Sequence, residues 1–246
     1  MLLDRALPCL LICAAASAHA ASAAPASASA SAPPVRIILV GDSTMASSTG
    51  YGDALCARFS PETACINLAR GGRSSGSFRA EGRWDEVEAL LRAPAGFGAT
   101  YVLIQFGHND QPGKPGRSTD LVHEFPANLA RYVNEARALG AVPVLVTPLT
   151  RRSFRGAWVQ DDLAPWSAAV RRVATATETP LVDLNRLSMA DVQAIGPARA
   201  DALARAGANF DHTHLGPTGA ARVAATMTGA LLQAVPPLAR ALGSAR

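Results

Sequence analysis

Five short apolar runs, separated by stretches with helical periodicity, constrain this chain more than any other feature of its sequence. Val35 to Val40 reads as an apolar, β-branched run, and Ala64 to Leu68, Tyr101 to Phe106, Val142 to Val146 and Leu181 to Leu184 read the same way. A strand that is apolar along its length, rather than at alternate residues, is one that must be covered on both faces. Between these runs lie helical segments at Gly52 to Phe59, Trp84 to Leu91, Phe125 to Leu139 and Trp166 to Thr177. The third of them sets Phe125, Leu129, Tyr132, Val133 and Ala136 on one stripe and ends at Gly140, in the position of a helix C-cap. A last helix is expected from Pro217, which suits a first helical turn, through Val223, Met227 and Leu231. Strands and helices in alternation predict an α/β fold, a three-layer α/β/α sandwich around a central, mostly parallel five-stranded sheet. In such sheets the loops leaving the carboxyl ends of the strands line the functional crevice.

The chain has 246 residues, and its first part does not read as sandwich. Arg5 precedes an apolar stretch, Ala6 to Ala16, too short to span a bilayer, and Ala18-His19-Ala20 offers a small-residue cleavage site. Residues 1–20 are therefore expected to be an export signal, which predicts a periplasmic or secreted protein with no stable membrane insertion after cleavage. Residues 21–34 are Ala, Ser and Pro only, with nothing large to bury, and are expected to form a disordered linker. The remainder, 35–246, has no repeat and no low-complexity break, which suits one domain with a substantial core. A monomer is expected. Removal of the signal leaves Cys56 and Cys65, and in an exported chain an isolated pair is expected to close a disulfide.

The formal net charge of +4 comes almost wholly from scattered arginines, Lys114 being the only lysine. Nucleic-acid proteins gather such charge into a stripe with interleaved aromatics, and a chain with seven Phe, three Tyr and three Trp has no such pattern, so no nucleic-acid partner is expected. A weak positive field would favour encounter with a uronate-containing polysaccharide, and ordinary solubility explains the same charge equally well. No Cys-His cluster has zinc spacing, and His212 and His214 lack a helical Glu or a further ligand, so neither metal nor cofactor is expected.

Four separated segments offer chemistry. Gly41-Asp42-Ser43-Thr44 sets a hydroxyl in a turn directly after the first apolar run, and Asp211-His212-Thr213-His214 sets an imidazole three residues after a carboxylate. Gly71-Gly72-Arg73-Ser74 and Gly107-His108-Asn109-Asp110 offer a backbone N–H and a side-chain amide, both oxyanion donors. Ser43 follows the first strand, Gly72 the second, Asn109 the third, and Asp211 with His214 precede the final helix, so all four can meet at one rim of the sheet. Each also has a structural reading: Ser43, Gly72 and Asn109 as turn residues, His214 as a surface histidine. On a tight turn the Asp211 carboxylate can accept a bond from His214 Nδ1–H, which leaves Nε2 to take the serine proton. His212 competes for that role. His123 and His108 are expected to be non-catalytic, although His108 adjoins Asn109. Asp110 is expected to be scaffold, and Arg73 either contacts substrate carboxylates or braces its loop.

The order Ser, Gly, Asn, then Asp-x-x-His resembles the SGNH (GDSL-like) hydrolases. Within that group Gly-Asp-Ser-Thr-Met-Ala, Gly-Gly-Arg-Ser-Ser, Gly-His-Asn-Asp and Asp-His-Thr-His are most similar to the rhamnogalacturonan acetylesterase family, over a span from about Val35 to the C-terminal helix. The usual Gly-Asp-Ser-Leu motif reads Gly-Asp-Ser-Thr here. The resemblance implies a flavodoxin-like SGNH hydrolase fold for 35–246, Ser43 as nucleophile, Gly72 and Asn109 as oxyanion donors, and His214 rather than His212 as the base, oriented by Asp211. It implies a serine esterase that removes O-acetyl groups from a polysaccharide or oligosaccharide, of rhamnogalacturonan or pectin type, through an acyl-enzyme and without cofactor. Two rivals stand beside it. One is a lipid-directed esterase, thioesterase or lysophospholipase using the same catalytic machine, disfavoured by the lack of a long apolar loop or amphipathic lid. The other is a non-catalytic carbohydrate-binding relative, which would have no need of Ser43, Asn109, Asp211 and His214 together.

Overall fold

A computed structural model describes residues 34–93, 96–207 and 210–243. The expected export signal at 1–20, and all of the expected linker except Pro34, lie outside the described residues. The chain runs β1 (Val35–Gly41), α1 (Gly52–Cys56), β2 (Ala64–Asn67), α2 (Ser75–Ala80), α3 (Arg83–Arg92), β3 (Ala99–Gln105), α4 (Glu124–Ala138) and β4 (Val142–Val146). A hairpin of β5 (Phe154–Arg155) and β6 (Trp158–Val159) follows, then α5 (Ala164–Ala176), β7 (Leu181–Val182), α6 (Leu184–Asp201) and α7 (Pro217–Ala234), with a closing 3-10 turn at Pro236–Ala241.

The five-stranded sheet has the order β2-β1-β3-β4-β7, and every pairing in it is parallel. Successive strand residues point to opposite faces, and β1 is buried throughout because both faces are covered. Ile37 and Leu39 pack with Leu55, Val223, Met227 and Leu231, the layer of α1 and α7. Ile38 and Val40 pack with Val87, Leu129, Val133 and Val170, the layer of α3, α4 and α5. Three layers result, as expected. Order reverses at β1, whose neighbours are β2 on one side and β3 on the other, so the crevice above their carboxyl ends is the topological switch point where such folds bind ligands.

Several elements differ from the sequence reading, among them α1, which stops at Cys56 rather than Phe59, and the β5–β6 hairpin and closing 3-10 turn, which have no counterpart in it. Leu181 to Leu184 was expected as strand, yet β7 stops at Val182 and Leu184 begins α6, with its side chain buried in the α1/α7 layer. The α6 helix has no counterpart among the helical segments read from the sequence; it carries a kink at Gly196, φ +74°, with helix on either side. Six-residue α2 is too short to show periodicity and is held by its cap: Ser74 Oγ accepts from Ser77 N–H at 3.1 Å, and Ser77 Oγ accepts from Ser74 N–H at 2.9 Å. Cys56, at the end of α1, and Cys65, in the edge strand β2, are joined by a disulfide. Among the described residues no helix is long and apolar enough to cross a membrane.

Candidate active site

β1 ends at Gly41, and the turn that follows is built on Asp42. Its backbone carbonyl accepts from Met45 N–H at 3.2 Å and Ala46 N–H at 3.0 Å, while its Oδ1 accepts from Thr44 N–H at 2.9 Å and Thr44 Oγ1 at 2.8 Å. A buried relay continues from there. Gln105 Nε2 donates to Thr44 Oγ1 at 2.6 Å, and Tyr51 OH donates to Gln105 Oε1 at 2.7 Å. These bonds fix the turn that bears Ser43 to the buried end of β3. Burial opposes ionisation of Asp42, but His108, with Nδ1 3.4 Å from Oδ2, and the Thr44 donors together hold the carboxyl below its ordinary value. His108 is thus buried beside Asp42, its Nδ1 facing the carboxylate.

His214 Nε2 lies 2.8 Å from Ser43 Oγ, and His214 Nδ1 lies 2.8 Å from Asp211 Oδ2. The other Asp211 oxygen accepts from the Thr213 and His214 N–H groups, both at 2.9 Å, so the carboxylate is fixed by the same turn that bears the imidazole. Burial disfavours its charge, yet these two backbone bonds and the His214 ring overcome that and hold the Asp211 carboxyl at about 2. His212 is engaged elsewhere: its Nδ1 lies 3.0 Å from the Arg152 carbonyl and its ring stands edge-on to Phe210, with centroids 4.4 Å apart. Thr49 couples the two halves, since Oγ1 donates to the Ser43 carbonyl at 2.7 Å and its own carbonyl accepts from Leu215 N–H at 2.9 Å.

Gly72, at φ +79°, turns the loop after β2 towards the nucleophile, and a Cβ built on neighbouring Gly71 would lie 3.7 Å from Ser43 Cβ. Asn109 Nδ2 donates one proton to the Arg73 carbonyl at 3.0 Å, which ties the third block to the second and leaves the other amide proton free. Among the described residues the N–H groups of Ser43 and Gly72 have no backbone acceptor. Arg73 braces its loop: Nη1 donates to the Gly71 carbonyl at 2.8 Å, and Nε donates to Glu81 at 2.9 Å. Asp110 is scaffold in this arrangement, its Oδ1 accepting from Ser75 N–H at 3.0 Å, Ser75 Oγ at 2.6 Å and Thr119 Oγ1 at 3.0 Å. His123 is far more exposed, against Asp120. The structure therefore brings Ser43, Gly72, Asn109, Asp211 and His214 to one rim, where a proton can pass from Ser43 Oγ to His214 Nε2 beside several unengaged donors. Among the described residues no group of three His, Cys, Asp or Glu side chains could hold a metal ion.

One residue at this site escaped the sequence reading. Arg152 is buried, and its guanidinium meets carbonyls alone: Nη2 donates to Asp211 O at 2.5 Å and His214 O at 2.8 Å, and Nη1 to Thr213 O at 3.4 Å. Its backbone N–H also donates to His212 O at 2.8 Å. Nothing in Thr150-Arg151-Arg152-Ser153 distinguishes this arginine from its neighbour, because the contacts lie some sixty residues away.

Comparison with known proteins places this geometry. The model of the GDSL-like lipase/acylhydrolase family matches residues 39–222. The chain is 33% identical over 172 residues to the rhamnogalacturonan acetylesterase RhgT of Bacillus subtilis, covering 67% of this chain and 71% of that protein. It is 48% identical over 75 residues to a rhamnogalacturonan acetylesterase of Emericella nidulans, covering 30% of this chain and 28% of that one. Among solved structures, that of Bacillus subtilis YxiM superposes with a TM-score of 0.68 at 25% identity over 86% of this chain, which spans 59% of that protein. The acetylxylan esterase Axe2 of Geobacillus stearothermophilus shares the fold, with a TM-score of 0.57 at 20% identity over 80% of this chain and 92% of that one.

Proposed function

The chain belongs to the GDSL-like lipase/acylhydrolase family and is a serine hydrolase of carboxylic esters, and on that premise we propose that it is a secreted or periplasmic carbohydrate esterase that removes O-acetyl groups from a polysaccharide of rhamnogalacturonan or pectin type. Ser43 Oγ attacks the acetyl carbonyl while His214 Nε2 takes its proton. The N–H groups of Ser43 and Gly72 and the free amide proton of Asn109 receive the oxyanion, a contribution of about 2.7–4 kcal/mol for a single donor of this kind. Collapse of the tetrahedral intermediate expels the sugar oxygen, which takes the proton from His214 and leaves acetyl-Ser43. Water then attacks this ester as His214 removes its proton, and collapse of the second intermediate releases acetate while His214 returns that proton to Ser43 Oγ. Asp211 keeps Nδ1–H oriented and offsets the positive charge on the ring.

The observation that carries this reading is the unbroken line from Ser43 through His214 to Asp211, 2.8 Å at each step. The carbohydrate substrate is supported by the relatives named as rhamnogalacturonan acetylesterases, and export by the charged and apolar N-terminal sequence. Acetate release across acetylated pectins, xylans and bacterial glycans, run beside p-nitrophenyl esters of increasing chain length, tests it. The expected result is release from pectic substrates and a rate that falls as the acyl chain lengthens. Preference for long acyl chains with no acetate release from any glycan would overturn it in favour of a lipid-directed esterase.

A further inference from the structure

The loop leaving β3 beyond Asn109 reads Gln111-Pro112-Gly113-Lys114-Pro115-Gly116-Arg117-Ser118, and no step of the hydrolysis above uses it. Two Pro-Gly turns, with Gly113 at φ +81° and Gly116 at φ +69°, fold it back on itself. Ser118 Oγ braces the fold by accepting from Lys114 N–H at 2.9 Å and donating to the Gln111 carbonyl at 2.8 Å. Thr119 returns the chain to Asp110, with its N–H on the Asp110 carbonyl at 3.0 Å. The loop is thus a stiff projection whose foot adjoins the oxyanion amide.

This projection bears two cations, Lys114 and the exposed Arg117. A Cβ built on Gly72 would lie 3.5 Å from Arg117 Nη1, so the guanidinium stands over the glycine loop that faces Ser43. Arg151 joins from the loop after β4, with Nη2 donating to Gln111 Oε1 at 2.7 Å and Nη1 4.0 Å from Asp162. Among the described residues, neither the Lys114 ammonium nor the Arg117 guanidinium has a carboxylate at ion-pair distance, that contact of Arg151 being the one such pair in the group. Burial first, then the charges of Arg151 and Arg117, push the Lys114 ammonium below its ordinary value, and the buried Asp42 and Asp110 offset this only in part. Like charges held together by a braced loop raise the energy of the empty site, and an anion relieves it. Guanidinium presents parallel donors that match a carboxylate.

We propose that Lys114 and Arg117, backed by Arg151, form a carboxylate subsite beside the oxyanion loop that seats a uronate unit neighbouring the acetylated sugar and selects anionic over neutral glycans. The inference rests on the esterase reading and adds the residues that read the charge of the substrate. Three substrates test it: acetylated galacturonate oligomers with free carboxyls, the same oligomers with those carboxyls methyl-esterified, and p-nitrophenyl acetate. The wild-type kcat/KM is expected to favour the free acid by about tenfold, with the ratio shrinking as salt is added. Lys114→Gln and Arg117→Gln should each lower the ratio, mainly through KM, and the double variant should bring it close to one. Arg240→Ala, on the closing 3-10 turn, serves as a charge-matched control that leaves the ratio intact. Equal wild-type turnover of the two oligomers, or a ratio indifferent to both substitutions, would overturn the subsite while the esterase stands. Slowing of p-nitrophenyl acetate by Arg117→Gln as severe as that of the free-acid oligomer would overturn it too, by assigning Arg117 to the oxyanion loop. Inactivity of the wild-type protein on all three substrates would instead sink the esterase reading.

Discussion

Two histidines two positions apart meet different surroundings, and the difference sets what each can do. His214 bridges Ser43 and Asp211, whereas His212 is bound to the Arg152 carbonyl. His214→Ala is expected to abolish turnover as severely as Ser43→Ala, on the order of 10⁶-fold in kcat, because nucleophile and base act as a unit. Asp211→Asn should retain roughly a hundredfold more rate than either, since the imidazole stays in place. His212→Ala should fall by less than about tenfold, the scale of a residue outside the proton path. Rates on p-nitrophenyl acetate with purified, folded variants check all four, and an inactive His212→Ala beside an active His214→Ala would require the pair to be redrawn. Arg152 acts at one remove, by holding the carbonyls of Asp211, Thr213 and His214. Arg152→Met is expected to lower kcat by about 10²-fold through misplacement of the base, with KM little changed. Arg152→Lys, which keeps the charge but not the fork, should recover only part of that loss. An equal rise in KM with kcat intact would show that the clamp positions substrate instead.

Between elements, Asp110 ties the loop after β3 to the N-terminus of α2 through Ser75, and Tyr132 OH on α4 holds the Ser75 carbonyl at 2.7 Å. Burial pushes the Asp110 carboxyl up to about 6 against the bonds from Ser75 and Thr119, with the charge of Asp42 adding to the rise. Its Oδ2 is buried without a partner among the described residues, so no bond offsets the loss of water at that oxygen. Since the native acid keeps a proton that the unfolded acid, near 3.8, has already lost, stability should decline as pH rises from about 4 to about 6, by up to about 3 kcal/mol. Asp211 has the opposite sign. Held at about 2, it contributes stability that is present above its unfolded value of 3.8 and lost as pH falls through 2. Melting temperatures from pH 2 to 7 should therefore fall on both sides of about pH 4 from these two groups. Asp110→Asn should flatten the decline between pH 4 and 6 and leave the acid limb intact, and a variant with the same upper slope as wild type would refute the assignment.

At the scale of the molecule, two apolar layers meet the sheet from opposite sides, and the Cys56–Cys65 disulfide pins α1, in one of those layers, to the edge strand β2 of the sheet. The loop it closes is short, so reduction is expected to destabilise the fold by about 2–3 kcal/mol in the chain-entropy description. Neither cysteine belongs to the set Ser43, Gly72, Asn109, Asp211 and His214. Thermal melts with and without reductant should separate, while rates on p-nitrophenyl acetate well below both transitions should coincide. Loss of activity on reduction without loss of secondary structure would mean that the edge strand positions Gly72 through this link.

The apolar runs from Val35, Ala64, Tyr101 and Val142, and the stripe from Phe125 to Ala136, determined an α/β sandwich on their own, because burial on two faces and helical periodicity are local properties of a chain. The residue types of the four blocks, and their places at strand ends, likewise marked Ser43, Gly72, Asn109, Asp211 and His214 as candidates for one rim. Only the tertiary structure decided the rest. Periodicity cannot reveal that Leu184 leaves the strand to start a helix, nor that helix lies on both sides of the kink at Gly196. It cannot separate His212 from His214, or Arg152 from Arg151, because the contact that distinguishes His214 spans 171 positions and those of Arg152 span about sixty. Such contacts depend on where the folded sheet brings each loop, and no short stretch of sequence contains that information.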